Sequence, residues 1–300
     1  MSNAGSGSRP SKNARREAAR EKARALREAQ KKKDRRNRVL LQGGIGVAVL
    51  AVLAIVAFVI VTSIRPPASG PKNMASDGIV IGKGLKAIPT AALSPNASPV
   101  PSIPDSTASV VNIRTYIDYL CPYCGQFEKT NAKQLADLAK SGAGTIEVHP
   151  IALLTSHSQG TKYSQRAANA AACVANYSPD QFYAFHISLF ENQPQENSAG
   201  LTSKKLKDMV KAAGAKNLSS IDSCIDDGKF NGWVQSATDR AISDPIPNSD
   251  LKKFTGTPTV LVNGKQYTGS LTSSKEFAAF VLQASSDTYS TSTPTPTPAP

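Results

Sequence analysis

The stretch that decides the fold is Thr115-Tyr116-Ile117-Asp118-Tyr119-Leu120-Cys121-Pro122-Tyr123-Cys124. It begins as a β-type run and ends in C-x-x-C, and a helical pattern follows to about Ser141. Two thiols at this spacing on a strand-to-helix turn indicate a redox dithiol. Zinc is the weaker interpretation, because a structural zinc site needs about four ligands and neither a second C-x-x-C nor an H-x-x-x-H follows.

The expected helix N-terminus explains why the two thiols differ. Unpaired backbone N–H groups and the positive end of the helix dipole stabilise an anion there, which favours a thiolate at Cys121. Pro122 suits the first helical position because it lacks an N–H and its φ is already helical. Cys124, one turn deeper, is expected to be more buried and to attack any mixed disulfide formed on Cys121.

The charge of the chain is concentrated at its N-terminus. The formal net charge is +13, and residues 1–38 alone carry 14 Lys/Arg against 4 Asp/Glu. The remaining residues are nearly neutral, so the composition gives no support for nucleic-acid binding. We interpret residues 1–38 as a basic cytoplasmic tail that is helical at most on anionic lipid.

Residues 39–64 contain no charged side chain and are long enough to cross a bilayer as a helix. The basic flank predicts a cytoplasmic N-terminus and an extracytoplasmic body. A cleaved signal peptide is the alternative, with small residues for cleavage at Ala68-Ser69-Gly70. Residues 65–109, rich in Pro, Ser and Ala, are predicted to be mostly a spacer with one short edge hairpin near Asp77–Gly82.

The body is predicted over residues 110–284 as an α/β domain. A strand at 110–117, the dithiol helix and a strand at 145–151 form a parallel unit. About a hundred residues without a strand signal follow, and they read as a helical insertion at about 155–250. Gly256–Val262, the turn Asn263-Gly264 and a helix from Lys275 to Ala284 complete the domain, and residues 285–300 form a disordered Thr/Pro-rich tail.

Four cysteines allow three pairings, and Cys121 and Cys124 are close enough to form one pair. Cys173 and Cys224 then form either a structural disulfide or two buried free thiols. A disulfide closing about fifty residues would stabilise the fold by roughly 4 kcal/mol and would imply an oxidising compartment.

The order of these elements resembles the thioredoxin fold with the helical insertion of the DsbA family. The resemblance covers about residues 110–284 and rests on three features: the stretch 118–124, Thr257-Pro258-Thr259-Val260, and Asn263-Gly264. The chain resembles membrane-anchored actinobacterial members in particular, which also have a basic N-terminal anchor and an extra cysteine pair in the insertion.

The resemblance implies a role for each matching residue. Cys121 matches the nucleophile and Cys124 the resolving thiol, while Pro122 and Tyr123 match the dipeptide that tunes the thiolate. Pro258 matches the cis-proline that faces the dithiol, and Thr257 before it presents backbone groups to an extended substrate. An ordinary trans proline is the alternative for Pro258.

The chain departs from the family at one position. Relatives often place an acidic residue six positions before the nucleophile to help proton transfer, and Thr115 stands there. Asp118 is only three positions before Cys121, so it is either a participant in proton transfer or an exposed strand-end carboxylate.

The resemblance implies an extracytoplasmic thiol:disulfide oxidoreductase that oxidises cysteine pairs in exported proteins without a cofactor or metal. Its expected partners are exported protein thiols and a membrane oxidase, either a vitamin K epoxide reductase homologue or a DsbB-like protein. Two alternatives remain: a reductase or isomerase using the same dithiol, and a copper-binding or redox-inert surface module.

Overall fold

The computed structural model describes residues 12–63, 69–103 and 110–292. The chain divides into two compact units, residues 1–66 and residues 67–300. Parts of the predicted tail, span, linker and C-terminal segment lie outside the described residues, namely 1–11, 64–68, 104–109 and 293–300.

The first unit is dominated by one helix, α1 (Lys12–Ser63). It runs through both the basic segment and the uncharged segment, and its first half is rich in Ala, Glu and Arg, which favour helix. Among the described residues, no helix combines the length and the apolar character that crossing a bilayer requires. The span expected at residues 39–64 therefore stays a prediction.

The second unit is built on a mixed sheet. Its strands are β1 (Ile79–Gly82), β2 (Lys86–Ala87), β3 (Val111–Ile117), β4 (Gly144–Pro150), β5 (Thr259–Val262) and β6 (Lys265–Gln266). The spatial order is β2-β1-β4-β3-β5-β6. β3 and β4 are parallel, and the other neighbours are antiparallel. The sheet therefore places β3, which leads into the dithiol, at its centre.

Seven helices follow α1 in the described part of the chain. They are α2 (Pro122–Ser141), α3 (Tyr163–Tyr177), α4 (Phe182–Glu191), α5 (Ser203–Ala212), α6 (Leu218–Asp226), α7 (Asn231–Ser243) and α8 (Ser274–Ser292). Helix α2 connects the two parallel strands, and α3 to α7 lie between β4 and β5 as the predicted insertion. The thioredoxin-like α/β fold expected from the sequence is thus present.

Two apolar layers cover the sheet. Ile113 and Ile117 of β3 belong to the same buried cluster as Phe127 of α2 and Phe277 of α8, and the two phenylalanine rings meet edge to face at 5.1 Å. Tyr116 of β3 and Leu261 of β5 belong to a second cluster with Ile246 and Phe254, which follow α7. Because side chains alternate along a strand, one buried strand serves both layers.

The interpretation of residues 65–109 as mostly a spacer is wrong for residues 69–103, and the domain begins earlier than residue 110. The predicted hairpin is present as β1 and β2, and β1 pairs with β4. Met74, Ile79 and Ile81 are buried in the main core. Outside this hairpin the segment is rich in Pro, Ser and Ala and has no periodic apolar pattern, so the sequence does not predict that it packs on the domain.

A buried ion pair also fixes this segment. Arg114 Nε lies 2.8 Å from Glu147 Oε2, and the same carboxylate accepts hydrogen bonds from the Ser76 and Ser102 hydroxyls at 2.7 and 2.6 Å. Burial alone would raise the pKa of Glu147, but His149 and the Arg114 guanidinium hold it below its ordinary value. The segment therefore supplies hydrogen bonds that a buried charge needs.

The last helix is longer than the sequence predicts. It continues past Ala284 to Ser292, so the predicted disordered tail is wrong for residues 285–292. The Ser285 hydroxyl donates to the Val281 carbonyl at 2.7 Å, and Lys265 pairs with Asp287 at 2.5 Å. Serine and threonine lower helix propensity, but the first proline comes only at position 294, so nothing forces the helix to end at 284.

Replacing Ile81 by alanine tests whether residues 69–103 belong to the core. Ile81 is 0% exposed, whereas Ile103 in the same segment is 92% exposed. We expect Ile81→Ala to lower the free energy of unfolding by about 2 to 5 kcal/mol and Ile103→Ala to change it by less than about 0.5 kcal/mol. Urea denaturation of both variants measures this, and equal midpoints would contradict the assignment.

Candidate active site

The dithiol lies at the junction of β3 and α2. Cys121 is the N-cap residue of α2 in extended conformation, Pro122 opens the helix, and Cys124 lies within its first turn. Cys124 is fully buried and Cys121 nearly so. Tyr123 is 60% exposed, so the dipeptide between the thiols offers an aromatic ring to solvent.

The loop before β5 faces this junction. The peptide bond between Thr257 and Pro258 is cis, and the Cys121 thiol donates to the Thr257 carbonyl oxygen with an Sγ–O distance of 3.3 Å. Because β5 pairs with β3, the sheet itself holds this loop beside the dithiol. The structure thus brings the Thr257-Pro258 loop next to the turn that carries Cys121 and Cys124.

The two thiols have opposite acidities. A hydrogen bond from the Cys124 side chain lowers the pKa of Cys121 to about 6, against the opposing effect of burial. The Thr257 side chain and the backbone N–H groups of Cys124 and Tyr123 lower it further. Burial, followed by the interaction with Cys121, raises the pKa of Cys124 well above its ordinary value. At neutral pH the reduced protein therefore presents one thiolate and one buried thiol.

Asp118 is buried, so the alternative of an exposed strand-end carboxylate is wrong. Its Oδ1 accepts the Leu120 N–H and its Oδ2 accepts the Leu154 N–H, each at 2.8 Å. Burial raises the pKa of Asp118 to about 6, although these two hydrogen bonds oppose the rise. The carboxylate ties the turn before the dithiol to the segment after β4. Thr115 is buried too, and its hydroxyl has no hydrogen-bond partner within the part of the chain that the structure describes.

The remaining cysteines belong to the insertion. Cys173 of α3 and Cys224 of α6 form a disulfide with an S–S distance of 2.00 Å. The sequence leaves open either a disulfide or two free thiols at these positions, and the structure contains the disulfide. Both sulfurs are buried, and the bond joins two helices of the insertion.

Sequence reasoning missed Gln193, which follows α4. Its amide Nε2 lies 2.8 Å from the Cys121 carbonyl oxygen and 3.2 Å from the Tyr119 carbonyl oxygen. No local pattern marks it, because its partners are backbone atoms more than 70 residues away.

A second contact between the insertion and α2 involves His186. His186 lies on α4 and is buried. Its Nδ1 lies 3.1 Å from the Tyr119 hydroxyl, and its Nε2 lies 3.4 Å from Glu128 of α2. The contact helps to fix the insertion against the dithiol helix.

A cavity of about 180 Å³ lies elsewhere, where β3 and β4 face α7 and the segment near Ser102. None of the predicted site residues lines it. Four of its charged side chains form ion pairs with each other, Arg114 with Glu147 and Arg240 with Asp77. Among the described residues, no group of three or more His, Cys, Asp or Glu side chains is placed to hold a metal ion.

A C-x-x-C pair at a helix N-terminus, facing a cis-proline loop on this sheet, defines a thiol:disulfide oxidoreductase of thioredoxin fold. The comparison with protein families agrees, since the chain belongs to the thioredoxin family whose model, described as Thioredoxin, matches residues 102–281.

Solved structures show the same relationship in more detail. Reduced DsbA from Mycobacterium tuberculosis is similar at 26% identity and a TM-score of 0.52, over 72% of this chain and 100% of that one. The reduced disulfide bond oxidoreductase DsbG from the same organism is similar at 25% identity and a TM-score of 0.51, over 73% and 95%. Oxidised BdbD from Bacillus subtilis shares the fold at 22% identity and a TM-score of 0.50, over 74% and 100%. The resemblance to the DsbA family expected from the sequence is confirmed.

A curated relative matches a smaller region. The serine/threonine-protein kinase PknE of Mycobacterium tuberculosis is 29% identical over 140 residues, which are 45% of this chain. The chain spans about a quarter of that protein's length, 24%. The match therefore carries no kinase activity to this chain.

Two substitutions of Cys124 test the origin of the acidity of Cys121. Cys124→Ala removes the hydrogen-bond donor and should raise the pKa of Cys121 by about one to two pH units. Cys124→Ser keeps a donor and should raise it less. Absorbance of the thiolate near 240 nm, followed from pH 4 to 10, measures both variants. If Cys121 titrates in both variants as it does in the parent protein, the Cys124 side chain does not lower its pKa, and the helix terminus and Thr257 account for the acidity.

Proposed function

We propose that this protein is a membrane-anchored, extracytoplasmic oxidoreductase that inserts disulfides into exported proteins. The observation that carries this proposal is the contrast between Cys121, whose pKa is lowered to about 6, and Cys124, whose pKa is raised. A stabilised thiolate favours the reduced enzyme, and an enzyme that is stable when reduced is a better oxidant. For comparison, the corresponding pKa is about 7 in thioredoxin and about 3.5 in DsbA.

The burial of the two sulfurs fixes the order of the steps. In the oxidised enzyme a substrate thiolate attacks Cys121 Sγ, because Cys124 is fully enclosed. The Cys121–Cys124 bond breaks, and Cys124 leaves with the electron pair and takes up a proton, as its raised pKa favours. A second substrate thiolate then attacks the substrate sulfur of the mixed disulfide and expels the Cys121 thiolate. Two electrons pass from the substrate to the enzyme.

Substrate recognition is proposed to use the cis-proline loop. Pro258 cannot donate a hydrogen bond, but Thr257 presents its backbone beside Cys121. An extended substrate chain can form main-chain hydrogen bonds with the backbone of this loop, so recognition tolerates many sequences. The exposed Tyr123 ring, two residues after Cys121, offers an apolar contact to the substrate.

The anchor and the reoxidation partner are part of the same proposal. The uncharged residues 39–64 follow a strongly basic segment, which supports a single span with a cytoplasmic N-terminus. The disulfide between Cys173 and Cys224 supports an oxidising compartment. A membrane oxidase, a vitamin K epoxide reductase homologue or a DsbB-like protein, would accept the two electrons in the same plane.

The reduction potential tests the direction of electron flow. Because a pKa of about 6 lies between those of thioredoxin and DsbA, we expect the equilibrium with glutathione to give a reduction potential between about −270 mV and about −120 mV. The measurement uses the purified domain and quantifies reduced Cys121 by alkylation and mass. A value near −270 mV would instead favour the reductase or isomerase alternative, and absence of exchange would favour a redox-inert module.

Trapping in cells tests the compartment and the partners. The Cys124→Ala variant cannot resolve mixed disulfides intramolecularly, so exported proteins and the oxidase should accumulate on Cys121 in the membrane fraction. Cys121→Ala is the matched control and should capture none of them. Captured proteins that are mainly cytoplasmic would contradict both the orientation and the substrate class.

A further inference from the structure

Gln193 connects the insertion to the turn that carries the dithiol. Its single amide nitrogen bridges the carbonyl oxygens of Tyr119 and Cys121, at 3.2 and 2.8 Å. The Cys121 carbonyl also accepts the Gly125 N–H at 3.1 Å. One carbonyl therefore receives two donors, one from its own helix and one from a distant element.

Gly125 leaves the space that this amide occupies. A Cβ atom on Gly125 would lie 2.1 Å from Gln193 Oε1, far inside contact distance. Glycine is the least favourable residue in a helix apart from proline, and Gly125 has no positive φ that would require it. The close approach of Gln193 gives a reason for glycine in the first turns of α2.

The position of this carbonyl matters for the sulfur. The N–H groups of Tyr123 and Cys124 stabilise the Cys121 thiolate, and their direction depends on how the peptide planes of the turn are held. Donors that are already oriented stabilise a charge better than donors that must reorient. The Cys121 carbonyl belongs to the peptide plane that directly precedes these two, so fixing it restrains the start of the turn from which both N–H groups are oriented.

We propose that Gln193 is a positioning residue, whose amide holds the dithiol turn in the geometry that stabilises the reduced form. The helical insertion thereby adjusts the thiol–disulfide equilibrium of a site on the thioredoxin domain. This inference rests on the redox role of Cys121 in the proposed function, and it holds whether the enzyme oxidises or reduces its substrates.

Two near-isosteric variants test the inference in the full chain. Gln193→Met removes the donor, and Gln193→Glu also places a negative charge near the helix N-terminus. We expect the pKa of Cys121 to rise by about one unit in Gln193→Met and by more in Gln193→Glu. Each unit should shift the equilibrium with glutathione about tenfold towards the Cys121–Cys124 disulfide. Gly125→Ala, which displaces the amide, should shift both readouts in the same direction.

Gln165→Met is the matched control. The Gln165 amide also donates to a backbone carbonyl, that of Asn231 at 3.4 Å, but within the insertion. Gln165→Met should leave the pKa of Cys121 unchanged. Thermal unfolding identifies variants that do not fold. If Gln193→Met does not fold, Gln193→Glu and Gly125→Ala test the positioning role of Gln193.

An unchanged Cys121 pKa and an unchanged glutathione equilibrium in the folded variants would overturn the inference. Loss of folding in all three variants would also overturn it, because Gln193 would then have a purely structural role. The potential of the parent protein tests the proposed function, whereas the differences between variants and parent test Gln193. Either proposal can therefore fail alone.

Discussion

The stabilisation of one sulfur anion at the start of α2 is the interaction on which the rest of the site depends. Cys121 is nearly buried, and burial by itself opposes ionisation of a thiol. The opposing contributions come from groups within one helical turn and from Thr257, with Cys124 the largest. A small displacement of the turn would weaken several of these contributions together, so the surrounding elements must hold it firmly.

Five separate parts of the chain provide that support. β3 delivers the turn from the centre of the sheet, and β5 brings the cis-proline loop beside it. Asp118 ties the turn to the segment after β4, and Gln193 ties it to the insertion. The segment 69–103 acts at a distance, because it closes the sheet edge along β4 and completes the hydrogen bonds of Glu147. The insertion is thus part of the machinery that orients the reactive turn.

Much of this arrangement could be predicted from the sequence, because its signals are local. The dithiol, the helix that follows it and the Asn263-Gly264 turn are each encoded within a few neighbouring residues, and both turn residues have positive φ. The burial of Asp118, the reach of Gln193 and the packing of residues 69–103 could not be predicted. Each depends on partners far away in the chain, and a side chain that binds a backbone carbonyl leaves no mark on the partner's sequence. The length of α8 was missed for another reason, since serine-rich stretches are compatible with either helix or coil.

The enclosure of the second cysteine pair has a consequence for the protein's own integrity. A catalyst surrounded by attacking thiolates is in danger of having its internal crosslink scrambled by the molecules that it processes. Neither Cys173 nor Cys224 is open to such an attack, because the helices α3 and α6 cover both sulfurs. The chain can therefore pass through many rounds of exchange at Cys121 while the crosslink that braces its insertion stays inert.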